Sequence, residues 1–97
     1  MQYRQLGKSG LQVSVLSFGS WVSFSKQIND KVAEELMGTA YDNGINFFDN
    51  AEVYASGKSE SVMGDAIKAL KWPRLNYVVS TKFYWGLAEP EVKGKTQ

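Results

Sequence analysis

The sequence predicts an α/β fold built on parallel strands, and three observations predict it. Short apolar runs alternate with segments of helical period, in the order hairpin, then β-α-β-α-β. The runs that read as strands are continuous rather than alternating, as strands are when both faces of a sheet are covered. The polar residues of most chemical interest follow the C-terminal ends of those runs, where parallel α/β proteins assemble their sites. Right-handed crossovers at this spacing fit either a small open sheet or part of a (β/α)8 barrel, about three-eighths of one.

Each element has its own local reason. Tyr3 to Leu6 and Leu11 to Val13 flank Gly7-Lys8-Ser9-Gly10, and two glycines in so short a connection suit positive φ and a hairpin. Val15 to Gly19 is a short apolar run ending at glycine and reads as a buried strand. Ser23 to Asn29 is polar and reads as a loop. Asn29 or Asp30 can cap a helix whose start is favoured by Glu34 and Glu35. Val32, Ala33, Leu36, Met37, Ala40 and Tyr41 fall on one face of it, and Asn43-Gly44 ends it. Ile45 to Phe48 is the next strand. Ser59 to Lys71 is a second helix with Val62, Met63, Ala66, Ile67 and Leu70 on one face, and Pro73 prevents its continuation. Gly57 starts that helix, while Lys58, Glu60 and Asp65 are expected on its solvated side. Tyr77 to Thr81 is a third strand. Trp85 to Gln97 has no period and contains Pro90 and Gly94, the marks of a loop or tail. The expected division is therefore 1–13 hairpin, 14–86 β-α-β-α-β, and 87–97 loop or mobile tail.

Composition narrows the function classes. Ninety-seven residues make one domain at most, and 43% hydrophobic residues suffice for a core. Eleven basic against ten acidic residues, a net charge of +1, suggest neither nucleic acid nor an anionic membrane as partner. Without cysteine or histidine, disulfides and thiolate metal sites are excluded, a zinc site is disfavoured, and a reducing cytoplasm is the default location. No apolar run is long enough to span a membrane.

The candidate site lies at the strand ends. Ser20 and Trp21 follow the first strand, Asp49 and Tyr54 the second, and Lys82 the third. Taken singly, Asp49 could be a cap and Tyr54 a packing residue. A lysine directly after a buried strand is less ordinary, because its ammonium needs a partner, and Asp49 is the obvious one. Together these residue types make a proton donor: a phenol gives up its proton more readily beside an ammonium, and a carboxylate keeps that ammonium charged and in position. Such a donor serves a carbonyl oxygen on which negative charge develops. None of the three can supply a hydride, so a nicotinamide cofactor would have to. No G-x-G-x-x-G opens a helix after a strand, so the cofactor would not be held by that fingerprint. Tyr84 and Trp85 either line an apolar substrate pocket or pack beneath the third loop.

The segments Tyr3–Leu11, Gly19–Val22, Ala40–Asn46, Phe48–Tyr54, Gly57–Glu60 and Ser80–Lys82 together resemble the N-terminal part of the aldo-keto reductases. Within that family they look most like the branch holding the voltage-gated potassium channel β subunits. The resemblance implies a (β/α)8 barrel closed below by an N-terminal hairpin, and NADPH-dependent reduction of aldehydes and ketones. It implies Tyr54 as general acid, Lys82 as the cation that tunes it and Asp49 as the partner of Lys82. Ser20, Trp21 and Gln27 match cofactor-contacting positions, joined by Asp49 and Tyr54, and Trp21, Tyr54 and Trp85 would border the substrate. The catalytic histidine of the family follows its fourth strand and is not among these residues. The expected state is an N-terminal segment of a barrel, inactive alone, that self-associates or pairs with the rest of a barrel. The alternatives are a channel-subunit-like binding module and a non-catalytic structural fragment.

Overall fold

The computed structural model describes residues 1–20 and 29–84. Strands β1 (Tyr3–Gln5) and β2 (Gln12–Ser14) pair antiparallel, Tyr3 opposite Ser14. Gly7 and Gly10 in their connection have φ of +57° and +81°, the conformation that recommended glycine there. Strands β3 (Phe18–Gly19), β4 (Phe47–Asp49) and β5 (Val78–Ser80) form a parallel sheet in the order β3-β4-β5. Helices α1 (Asp30–Asp42) and α2 (Lys58–Leu70) are the crossovers.

The helices start and stop where their chemistry requires. The Asn29 side chain accepts the Val32 N–H at 2.9 Å, an N-cap bond. Past the end of α1, the Gly44 N–H donates to the Tyr41 carbonyl at 3.0 Å, and Gly44 takes φ +98°. Gly57, left-handed at φ 91°, is the N-cap of α2. Both helices lie on one face of the sheet. Phe48 is fully buried there among Ala33, Met37, Val62, Met63 and Ala66, a burial that contributes roughly 1.5–3 kcal/mol for the phenylalanine alone. Trp72 extends this core, stacking on Tyr41 at 4.3 Å and lying 5.0 Å from the Phe48 ring. The helices approach closely at Gly38, where an added Cβ would lie 3.3 Å from Leu70 Cδ2.

Alternation sends Phe47 to the opposite face. There Phe47, Val15 and Ser17, with Gln2, Arg4, Val13 and Ser14 from the hairpin, line an open bowl of about 540 Å³. The hairpin is held below the sheet by Asn46, which precedes β4. Its Oδ1 accepts the Ser14 N–H at 2.8 Å and its Nδ2 donates to the Gln12 carbonyl at 3.0 Å. Tyr3 adds a further tie, its hydroxyl donating to the Gly44 carbonyl at 2.7 Å.

Three expectations need correction. The run Val15 to Gly19 is not one buried strand: only Phe18–Gly19 pairs, and Val15 and Leu16 are 45% and 62% exposed. An apolar run reports a face that wants cover, and among the described residues nothing covers Val15 on this bowl. Val32 and Leu36 of the predicted α1 face are likewise exposed, because α1 has α2 on one flank only among the described residues. Glu60 does not merely face solvent: its Oε2 accepts a 2.6 Å hydrogen bond from Thr81 Oγ1, tying α2 to the segment after β5. The tail at 87–97 lies outside the described residues.

Replacing Asn46 by alanine removes both side-chain bonds to β2. We expect Asn46→Ala to lose about 1–3 kcal/mol in chemical denaturation, with hydrogen-exchange protection lost first in residues 3–14. Unchanged protection there would show that the hairpin is held by other means.

Candidate active site

Parallel pairing brings the predicted residues together. Asp49 ends β4 opposite Ser80 of β5. The ladder continues past both strands, with Asn50 N–H to Ser80 O at 2.8 Å and Glu52 N–H to Lys82 O at 3.0 Å. Lys82 therefore emerges on the same face as Ser80 and Asp49, since side chains two residues apart share a face. The chain after Asp49 turns back at once. Tyr54 opens a 3-10 turn, Tyr54–Gly57, in which Ala55 and Ser56 hold φ of 50° and 55°. A non-glycine residue in this region costs on the order of 1–2 kcal/mol, strain of the kind that gathers at functional sites.

Lys82 is the centre of the cluster. Its ammonium donates to Asp49 Oδ2 at 2.8 Å and Oδ1 at 2.9 Å, to the Asn50 carbonyl at 2.8 Å and to the Tyr54 hydroxyl oxygen at 3.3 Å. An ammonium has three N–H bonds, and here they point at a carboxylate, a carbonyl and a phenol. The Tyr54 ring centroid is 5.1 Å from Nζ. Asp49 also accepts a 2.6 Å bond from Ser80 Oγ.

The electrostatics follow from these contacts. Partial burial works against ionisation of Asp49, but the bonds from Lys82 and Ser80, the Lys82 charge and the Asn50 N–H together hold its carboxyl below its ordinary value of 3.8. The hydrogen bond to Asp49 raises Lys82 above its ordinary 10.5, against a smaller opposing effect of burial, with Tyr54 adding to the rise. Lys82 thus stays an ammonium near neutrality. The side chains of the pair are 48% and 34% exposed, so the bridge itself contributes no more than about 1 kcal/mol. Its value lies in position rather than stability.

Beneath the cluster runs a belt of buried hydroxyls and an amide. Ser20 is 1% exposed, and its hydroxyl donates to the Asp49 carbonyl at 2.9 Å. Asn50, 2% exposed, donates from Nδ2 to the Ser59 carbonyl at 3.1 Å, and Ser59 Oγ donates to the Ser20 carbonyl at 3.4 Å. The belt joins the ends of β3 and β4 to the first turn of α2.

Asp49, Tyr54 and Lys82, singled out from sequence, thus meet within hydrogen-bonding distance. Ser20 lies directly behind Asp49. Trp21, Gln27 and Trp85 lie outside the described residues. Tyr84 is 70% exposed, its N–H bonded to Glu52 Oε1 at 3.1 Å. Sequence reasoning missed Asn50, Ser59 and Ser80. One signal for Asn50 existed: it alternates with Asp49, so it had to face the helices and find partners there. Among the described residues no group of three or more acidic, cysteine or histidine side chains could hold a metal, and no helix is long and apolar enough to cross a membrane.

Comparison with known proteins agrees with this geometry. Residues 15–97 match the model of the aldo/keto reductase family. The chain belongs to the aldo/keto reductase family. It is 54% identical over 94 residues to a protein of Arabidopsis thaliana described as a probable voltage-gated potassium channel subunit beta, and 53% identical to one of the same description from Oryza sativa subsp. japonica. The matches cover 97% of this chain but 29% of each relative, so the chain spans less than a third of their length. Among solved structures it is similar to the holo form of an aldo-keto reductase from Bacillus halodurans, with TM-score 0.69 and 34% identity, over 84% of this chain and 25% of that one. It is also similar to a thermostable aldo-keto reductase solved with the inhibitor epalrestat, with TM-score 0.70 and 30% identity, over 84% of this chain and 31% of that one. The hairpin, three parallel strands and two helices are thus part of a (β/α)8 barrel.

The two shifted groups predict a pH window. Asp49, lowered on folding, contributes stability that is complete above its ordinary 3.8 and lost as pH falls through its lower folded value. Lys82, raised on folding, contributes stability that is complete below its ordinary 10.5 and lost as pH rises through its higher folded value. NMR titration of the Asp49 carboxyl and the Lys82 ε-carbon should find midpoints displaced outward on both sides. An Asp49 midpoint at or above that of an unfolded peptide would mean that the pair does not form in solution.

Proposed function

We propose that this chain carries the proton-donating part of an NADPH-dependent carbonyl reductase acting on aldehydes or ketones. The observation that carries the reading is the 3.3 Å contact of the Lys82 ammonium with the Tyr54 hydroxyl, backed by the two-pronged Asp49–Lys82 bridge. Tyr54 donates its phenolic proton to the carbonyl oxygen as that oxygen becomes an alkoxide. Lys82, 3.3 Å away, stabilises the phenolate left behind. Because its N–H bonds are turned to Asp49, Asn50 and Tyr54, Lys82 acts on the substrate through Tyr54 rather than by direct contact. Asp49 keeps Lys82 charged and aimed.

The residues present fit one end of a nicotinamide cofactor. Half-exposed Lys82 and partly buried Tyr54 lie together beyond the ends of β4 and β5. Asp49 and Tyr54 are the residues we assign to hold that end, Ser20, buried behind Asp49, supports them, and Trp21 and Gln27 are assigned there by the family resemblance alone. NADPH, when bound, supplies the hydride. The one cation at the ends of these strands among the described residues, Lys82, is turned to Asp49, Asn50 and Tyr54 rather than toward the cofactor's phosphates. We therefore expect the isolated chain to bind NADPH weakly and to turn over no substrate until the barrel is completed, by self-association or by the remaining strands. The absence of cysteine is in keeping with a cytoplasmic enzyme.

A second reading rests on the two plant relatives. At 54% and 53% identity to proteins named as potassium channel β subunits, the chain could instead contribute to a channel-binding module. Capture of a channel's cytoplasmic domain without carbonyl turnover would favour that reading.

The test joins this chain to the downstream part of a plant relative and follows NADPH oxidation with a panel of aldehydes and ketones. Reduction should require the carbonyl. Tyr54→Phe should lose about 100-fold or more in kcat while NADPH fluorescence titration stays as before. Full activity in Tyr54→Phe would remove Tyr54 as the acid.

A further inference from the structure

Ser80 has no role in the mechanism above, yet its hydroxyl makes a bond as short as any in the cluster. Register puts it opposite Asp49 on the neighbouring strand, and its Oγ donates to Asp49 Oδ1 at 2.6 Å. That oxygen also receives the Lys82 ammonium at 2.9 Å, while Oδ2 receives it at 2.8 Å. A carboxylate on a short side chain rotates about its terminal torsion over a broad range. With Lys82 alone as partner, the carboxylate could turn edge-on and keep a single contact. A second donor arriving at Oδ1 from a fixed strand position removes that freedom, and both oxygens then face Nζ.

We infer that Ser80 is a positioning residue: it locks the Asp49 carboxylate in the orientation that holds Lys82 against Tyr54 Oη. The inference rests on the reductase reading for its purpose but not for its test. It also states what the position requires. A side chain with a short hydroxyl fits, whereas an aliphatic residue of similar size leaves Oδ1, among the described residues, with Lys82 as its one side-chain donor. Thr81, the adjacent hydroxyl, cannot substitute: it points to the other face and is bonded to Glu60 Oε2 at 2.6 Å.

The experiment is an NMR titration of the Asp49 carboxyl carbon and the Lys82 ε-carbon in this chain, comparing wild type, Ser80→Ala and Ser80→Thr. A charge-assisted bond of this length favours the ionised carboxylate. In Ser80→Ala the Asp49 midpoint should therefore move upward and the Lys82 midpoint downward as the bridge loosens, and Ser80→Thr should restore both. Identical Asp49 midpoints in wild type and Ser80→Ala would overturn the inference. So would a shift that threonine fails to reverse, since that would trace to packing. Should the alanine variant not fold, Ser80→Cys keeps the shape with a much weaker donor and is read by the same two criteria. These titrations need no cofactor, so a failure of carbonyl turnover leaves them readable, and the reverse also holds.

Discussion

The site depends on one constraint: the parallel register of β4 and β5, which sets the end of one strand beside the end of the other. In a parallel sheet the neighbouring strand ends at the same level, so an acid closing that strand is within reach without any long loop. Asp49 and Lys82 satisfy this across β4 and β5, in a bridge of 2.8 Å. Tyr54 then needs only a short turn to come back to the same place. Three residues that lie 28 and 33 positions apart in sequence meet because the crossover α2 sets the register of the two strands.

The bridge is too exposed to matter much for folding, and the structure holds it by other means. Main-chain bonds continue the ladder through Asn50 and Glu52 beyond the assigned strands. Ser20, Asn50 and Ser59 tie the strand ends to α2 from behind. Their polar groups are buried and satisfied, and a buried network of that kind fixes geometry because any displacement leaves a group unpaired. The exposed part of the cluster, its charged side chains, thus stands on a buried floor whose side-chain polar groups are bonded.

Elements whose signal is local were legible in the sequence. Asn29, Gly44, Gly57 and the glycines of the hairpin each act within a few residues, and helix and strand positions came out within a residue or two at α1, α2, β4 and β5. The acid, the phenol and the lysine were legible because a charge at a strand end is conspicuous. What was not legible is whatever depends on a distant partner. Asn46 bonding Gln12 and Ser14, 34 and 32 residues away, looks like any turn asparagine. Ser80 and Asn50 become meaningful only once β4 and β5 are in register. Val15 and Leu16 misled for the converse reason: apolarity reports the demand for burial, and only the neighbours say whether it is met.

That last point bears on function. The sheet has two outer strands, β3 and β5, each paired on one side among the described residues, and both the bowl over the hairpin and the flank of α1 carry exposed apolar residues. On the far side of α2, Met63, Ile67 and Val79 line an apolar crevice of about 150 Å³. Outer strands and exposed apolar faces of this kind, among the described residues, are those of one sector of a closed barrel. The trio of Asp49, Tyr54 and Lys82, by contrast, is assembled within the described residues, from the end of β4, the turn that follows it and the segment after β5. The geometry proposed to donate the proton is therefore present in these residues alone. The titration behaviour of Asp49 and Lys82 belongs to the part of the proposed chemistry that this chain already contains.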